Sequence, residues 1–297
     1  MIKDFLKKIG RLVPYIKRLM KYETYYLPGH YYSPIPNHKD ILKGQHFKKL
    51  VIDPHVIDLC TSEQLKLFKN LAPYIEDHPF KETDAKSGNR FYNRNGYYGF
   101  GDADTLQAII RLFKPNKIIE IGSGYSSLLI HLVNEQYFQN KIKINYIEPF
   151  PDRLRKLLDA DELKESLIEK RLEEIPMDFF TSLKKGDILF IDSSHVLKSG
   201  SDLYYLFFFI LPVLKSGVLI HLHDIFNGFE YLSGHYTSKP GFGWNENYFL
   251  RAFLMYNNSF QIKLFLNYMD SNFIDEIKKI APSYSPKTGA AFWMEKL

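Results

Sequence analysis

The run Ile118-Ile119-Glu120-Ile121-Gly122-Ser123-Gly124-Tyr125-Ser126-Ser127 decides the architecture. Its first half is short and apolar, as befits a strand covered on both faces, and Leu128-Leu129 carries the second half into a helix. Between them, Gly122-Ser123-Gly124 supplies glycines that let a backbone turn tightly and come close to a ligand. Outward from this run the alternation repeats. Apolar stretches at 142–148, 187–192 and 217–223 predict further strands, and 126–137, 151–158, 177–183 and 202–214 predict the helices between them. Two more apolar runs, 260–266 and 290–296, could add closing strands. Such alternation predicts an α/β fold with a mainly parallel sheet and helices on both faces. In that class, ligands bind at the carboxyl ends of the strands where the winding reverses.

A Gly-x-Gly turn alone is shared by nicotinamide-, flavin- and adenosylmethionine-binding folds. Position 127 is Ser, so no third glycine completes the dinucleotide pattern, which disfavours the alternative of a nicotinamide-dependent sugar-modifying oxidoreductase. Glu120, two places before the first glycine, suits a cationic ligand bearing an amino group and a sulfonium. Glu148, ending the next strand, can accept two hydrogen bonds from a ribose diol.

On these residues, 100–225 resembles a class I S-adenosylmethionine-dependent methyltransferase, of the group similar to macrocin O-methyltransferases and catechol O-methyltransferase-like enzymes. Glu120-x-Gly122-x-Gly124 matches that family's first motif and Glu148 its ribose-binding acid. The stretch 187–195 is similar to its fourth strand and 216–224 to its fifth. The resemblance implies a Rossmann-like, doubly wound, mainly parallel seven-stranded sheet. It implies an S-adenosylmethionine-binding domain over 101–297, an N-terminal extension and cap over 22–100, and a basic amphipathic helix over 1–21. The expected cofactor-binding set is Glu120, Gly122, Ser123, Gly124, Tyr125, Ser126, Glu148, Leu172 and Asp192.

Methyl transfer is an in-line displacement at a sulfonium carbon, so the protein must align the acceptor and, for a hydroxyl, remove its proton. Asp192 and His195 follow the fourth expected strand, while His221, His223 and Asp224 close the fifth. In a parallel sheet those ends are neighbours, and alternation puts His221 and His223 on one face. Metal-dependent relatives place a carboxylate after strand four and two ligands after strand five, positions held here by Asp192, His223 and Asp224. His223 departs from the usual acid, and an imidazole with two oxygen donors suits Mn²⁺, Fe²⁺ or Zn²⁺ better than Mg²⁺. The metal-free alternative makes His195 or His223 the general base, with Asp224 orienting the ring. His131, behind the glycine turn, reads as packing or surface. The segment 234–246, with Trp244, reads as a lid with an aromatic wall or as cover for the sheet edge.

Composition narrows the acceptor. Of the net charge of +5, residues 1–21 hold a surplus of six, from Lys3, Lys7, Lys8, Arg11, Lys17, Arg18 and Lys21 against Asp4, so the remaining chain is close to neutral. A nucleic-acid enzyme would carry its positive field around the cleft, so the expected acceptor is a hydroxyl on a sugar, glycan or secondary metabolite. In the first twenty residues Ile2, Phe5, Leu6, Ile9, Leu12, Val13, Ile16, Leu19 and Met20 recur at steps of three and four. That stripe could meet a membrane surface, the body or a second copy of the chain, and a non-catalytic tethered protein is a further alternative. The lone Cys60 fits a reducing cytoplasm. The first twenty residues lack an uninterrupted apolar core, and the run 203–214 is broken by Pro212, so neither a signal peptide nor a membrane span is expected. The expected location is cytoplasmic, with peripheral contact at the inner membrane surface if residues 1–21 lie on lipid.

Overall fold

A computed structural model describes residues 29–47, 52–86, 88–234, 243–286 and 289–297. The expected helix over 1–21 and most of the expected lid, 235–242, lie outside the described residues. The chain divides into two units, Met1–Phe47 with Leu232–Gly243, and Lys48–Tyr231 with Trp244–Leu297.

In the first unit the described residues 29–47 form turns and then helix α1 (His38–Phe47). Its start is fixed by a reciprocal pair: the Asp40 N–H donates to Asn37 Oδ1 at 3.0 Å, and the Asn37 N–H to Asp40 Oδ2 at 3.3 Å.

The second unit holds a seven-stranded sheet in the order β3-β2-β1-β4-β5-β7-β6. Its strands are β1 (Lys117–Ile121), β2 (Lys143–Ile147), β3 (Leu167–Ile168), β4 (Ile188–Ile191), β5 (Leu219–Leu222), β6 (Phe260–Phe265) and β7 (Phe292–Lys296). The first five run parallel, while β7 pairs antiparallel with both β5 and β6. The two-residue β3 is too short for its pattern to have marked it as a strand. Winding proceeds from β1 outward to β3, then returns to β4 on the other side of β1. The topological switch therefore lies between β1 and β4, which opens a crevice above their carboxyl ends.

Alternate side chains feed two cores. Ile118, Tyr146, Phe190, Leu219 and Trp293 face helices α2 (Thr61–Glu76), α3 (Gly101–Phe113) and α4 (Tyr125–Phe138), while Ile119, Ile121, Leu189, Ile191 and Leu222 face the other side. On that second side lie helix α5, which spans 202–213, and α6 (Glu246–Leu254). Burying each large apolar side chain contributes roughly 1.5–3 kcal/mol, so these two layers carry the fold.

Two local expectations are overturned, at α2 and at 151–158. Phe68, Leu71 and Ile75 of α2 lie in the main core, so this part of the expected extension is integral to the domain. Helix α2 is entered through Cys60 at φ 51° without a side-chain cap, with Gln64 bridging Leu59 O and Phe265 N. Asp104, in the first turn of α3, is buried beside His78 and accepts from the Ser285 N–H. The helix expected over 151–158 is only a single 3₁₀ turn, Leu154–Lys156. Within α5, Leu206–Ile210 forms a π turn. Pro212, which has no N–H to give to the carbonyl four residues back, accounts for that local widening.

Candidate active site

The crevice begins with Gly122, at φ 79°, where a Cβ would sit 1.8 Å from the Asp192 carbonyl oxygen. Both the left-handed backbone and the close approach require glycine, and together they draw the exit of β4 against that of β1. Asp192 N–H donates to Ile121 O at 2.9 Å, and Gly122 N–H to Ile147 O at 3.0 Å. Above these ends lies a cavity of about 500 Å³, lined by Ile121, Gly122, Ile147, Glu148, Phe150, Leu172, Asp192 and Ser193 among others. That volume suits a nucleoside-sized ligand.

Of the expected cofactor set, Gly122, Glu148, Leu172 and Asp192 line this cavity, whereas Glu120, Ser123, Gly124, Tyr125 and Ser126 do not. Glu120 is fully buried behind the turn, with Ser126 Oγ donating to it at 2.6 Å. Burial pushes its carboxyl up to about 8, which makes it a neutral structural acid at pH 7, not the ligand-facing anion that its spacing suggested. Ser123 donates to Glu148 through its N–H at 3.1 Å and its hydroxyl at 3.2 Å, locking the ends of β1 and β2 together. Tyr125 turns away toward Tyr92 and Tyr97.

Beside the cavity, side chains from the ends of β4 and β5 converge. Asp192, His223 and Asp224 each offer one ligand atom, all within 4.8 Å of one another. His223 Nδ1 lies 3.8 Å from both Asp192 Oδ1 and Asp224 Oδ2, and its Nε2 lies 3.5 Å from Asp102 Oδ2 at the start of α3. The other oxygen of Asp102 accepts from the Ala290 and Ala291 N–H groups, both at 2.9 Å, which fixes the carboxylate. A carboxylate behind one ring nitrogen leaves the other free to bind a metal. His195 Nε2 reaches the same two oxygens, at 3.3 Å from Asp192 Oδ1 and 3.6 Å from Asp224 Oδ2, while its Nδ1 is 2.7 Å from Glu246 Oε2. Trp244 packs on the His195 ring at 4.1 Å. Backbone strain marks the same place: His195 and Asp224 adopt φ 58° and 57°, a region costly for residues other than glycine and common at functional sites.

The electrostatics follow from this crowding. Burial opposes ionisation of Asp192, yet His223 and His195 outweigh it and hold the carboxyl well below its ordinary range. Burial likewise opposes charge on His223, but Asp224, Asp192 and Asp102 raise it to about 10. His195 is raised well above its ordinary value, against burial, by Asp192 and Glu246. His221 behaves oppositely. Fully buried, stacked on Phe190 at 3.9 Å and without a partner for either ring nitrogen, it is kept neutral.

Comparison with known proteins fits this geometry. Residues 119–225 match the model of a methyltransferase domain family. Over 166 residues the chain is 36% identical to an uncharacterized protein of Archaeoglobus fulgidus, a match spanning 54% of this chain and 75% of that protein. Over residues 119–225 the chain carries a class I S-adenosylmethionine-dependent methyltransferase domain. A solved structure named as CmcI with Mg-SAM resembles the methyltransferase at 13% identity and a TM-score of 0.37, over 85% of this chain and 99% of that one.

Three residues of the methyltransferase site were not legible in its sequence. Asp102 lies in the first turn of a helix, where an acid reads as a favourable charge at the helix start. Glu246 is separated from His195 by 51 positions, although an acid directly after Trp244-Asn245 in the expected lid was a usable signal. Tyr98, whose ring lies 5.0 Å from that of His223, was hidden in a Tyr-rich loop. His131 pairs with Glu162 at 2.9 Å, away from the cluster.

Proposed function

We propose that the enzyme transfers a methyl group from S-adenosylmethionine to a hydroxyl of a sugar, glycan or secondary metabolite, assisted by a divalent metal at Asp192, His223 and Asp224. The observation that carries this reading is the convergence of those three ligand atoms within 4.8 Å, directly beside a cavity that Asp192 also lines. The donor set fits a first-row divalent ion: two carboxylate oxygens and one imidazole nitrogen, the ring held from behind by Asp102. A bound ion would lower the pKa of an acceptor hydroxyl and help to orient it. The protein's own residues do the rest. Glu148 meets the ribose and Leu172 packs on the nucleoside. Asp192 spans the boundary between cofactor and acceptor. His195, oriented through Nδ1 by Glu246, would receive the acceptor's proton at Nε2 once a cation on Asp192 and Asp224 offsets the charge that otherwise keeps its ring protonated. Alignment of donor and acceptor in one crevice supplies several kcal/mol, up to about 7–11 in ideal cases.

The near-neutral charge outside residues 1–21 supports an acceptor that is not a nucleic acid. The basic stripe of 1–21 supports peripheral contact with anionic lipid, which liposome flotation of the full chain against a chain lacking 1–21 would test. Among the described residues no helix is long and apolar enough to cross a membrane. Titration calorimetry with S-adenosylhomocysteine tests the cofactor half, and no heat at millimolar ligand overturns it. Equilibrium dialysis with Mn²⁺ tests the metal half: stoichiometric binding lost in His223→Ala is expected, and binding unchanged by that substitution refutes the assignment.

A further inference from the structure

Of the three tyrosines in the loop 92–98, the adjacent pair Tyr97 and Tyr98 have opposite fates. Its shape is fixed by Asn95, whose Oδ1 accepts from the Tyr97 and Tyr98 N–H groups at 2.9 Å each and whose Nδ2 donates to Tyr92 O and Tyr98 O. Tyr98 turns inward, against His223. Tyr97, its immediate neighbour, is 58% exposed, yet it is not loose. It stacks on Tyr125 at 5.8 Å and 10°, and the Tyr125 hydroxyl meets that of Tyr92 at 3.2 Å.

Over the Tyr97 ring, 4.1 Å from its centroid, lies the guanidinium of Arg153. The Arg153 stem passes across the glycine turn, since a Cβ on Gly124 would meet its Cδ at 3.4 Å. The loop bearing it is tied down at Phe150, whose N–H donates to Glu148 Oε1 at 2.8 Å and whose side chain borders the cofactor cavity.

Among the described residues, Arg90, Arg94, Arg111, Arg155 and Arg171 each pair with a carboxylate, and Arg251 reaches the Gly228 carbonyl. Arg153 has no such partner. It is an exposed fork of five donors held on an aromatic face beside the glycine turn. Such a fork is shaped for a carboxylate or phosphate bound through two parallel hydrogen bonds.

We propose that Arg153 on the Tyr97–Tyr125 stack is an anion-recognition platform, taking a carboxylate or phosphate of a ligand seated in the crevice. Two ligands bring that chemistry: the α-carboxylate of the cofactor, or an acidic group on the acceptor. The second source rests on the methyltransferase reading above.

Titration calorimetry on the full chain separates the sources. S-Adenosylhomocysteine is compared with methylthioadenosine, the same nucleoside without the amino-acid end. Protocatechuate is compared with catechol, its uncharged parent, on protein already loaded with S-adenosylhomocysteine. If the anion is the cofactor's, Arg153→Gln weakens S-adenosylhomocysteine tenfold or more and leaves methylthioadenosine unchanged. If it is the acceptor's, Arg153→Gln removes a tenfold or greater preference for protocatechuate over catechol. In either case Tyr97→Ala has a smaller effect in the same direction, and Arg153→Lys restores part of the binding. The platform is overturned if wild-type protein shows no preference for the acid-bearing member of either pair, or if Arg153→Gln leaves both preferences intact. Wild-type protein that binds neither nucleoside refutes the cofactor reading instead. The platform is then judged by inorganic phosphate, which must bind wild type and not Arg153→Gln.

Discussion

The two halves of the crevice are built on opposite plans. At the ends of β1 and β2, the Gly122–Ser126 turn works through backbone geometry and neutral buried contacts, and its acid, Glu120, is sealed away and protonated at pH 7. At the ends of β4 and β5, charged side chains crowd together: Asp192, His195, His223 and Asp224 share a few ångströms, backed by Asp102 and Glu246. The first half is a shape that local sequence can write. The second is a balance of charges that only tertiary contact creates. Substitutions should therefore fail differently on the two sides, as stability on one and as chemistry on the other.

The largest effect expected is from Gly122→Ala. The added Cβ has 1.8 Å to the Asp192 carbonyl and the backbone must stay at φ 79°, so a loss of about 3 kcal/mol or more is expected. Thermal unfolding measures it; a variant with a wild-type melting temperature would show that β1 and β4 are not held this closely. Glu120→Gln tests the same half through pH. The folded carboxyl sits at about 8 against an ordinary value of 4.5, so between those values the folded state holds a proton that the unfolded state has lost. Stability from this group is complete below pH 4.5 and declines as pH rises through 8, by at most about 1.4 kcal/mol per pH unit. Urea denaturation from pH 5 to pH 9 should show a shallower decline for Glu120→Gln, and parallel profiles would refute a neutral Glu120.

How much the sequence disclosed follows the same division. The alternation around 118–128 was enough to specify β1 and the glycine turn, because each depends on neighbours within a few residues, whereas the sheet order was what the family resemblance implied. Its local logic failed at Glu120, where spacing before the first glycine suggested a ligand-facing anion although strand alternation turns the side chain into the core. It failed also at α2, which was expected within an N-terminal extension although Phe68, Leu71 and Ile75 pack in the main core. Asp192, His223 and Asp224 could be named because they end adjacent strands. Asp102 and Glu246 reach the cluster from helices distant in sequence, and no periodicity encodes that meeting.

The charged half should be broken most cleanly from behind. Asp102→Asn keeps an oxygen for the Ala290 and Ala291 N–H groups while removing the charge facing His223 Nε2. Loss of such a supporting carboxylate lowers metal affinity by about 10–100-fold. Mn²⁺ dialysis should show that loss with S-adenosylhomocysteine binding unchanged. Equal losses of both ligands would mean that Asp102 supports the whole crevice and that the two halves are not separable.

Glu246→Gln should have a smaller effect, and it probes whether the charged half has an internal division of labour. Glu246 touches His195 at 2.7 Å from the side away from Asp192 and Asp224, so its charge acts on the metal ligands only through the imidazole. Glutamine can hold the ring through one hydrogen bond but cannot stabilise the imidazolium. If His195 takes the acceptor's proton, kcat should fall by about tenfold, a fraction of the 10²–10⁴ that a general base contributes, while KM and Mn²⁺ affinity stay near wild type. If the metal alone activates the acceptor, kcat will not change. The substitution therefore separates a crevice with a base and a metal in sequence from one in which His195 only fills space between carboxylates.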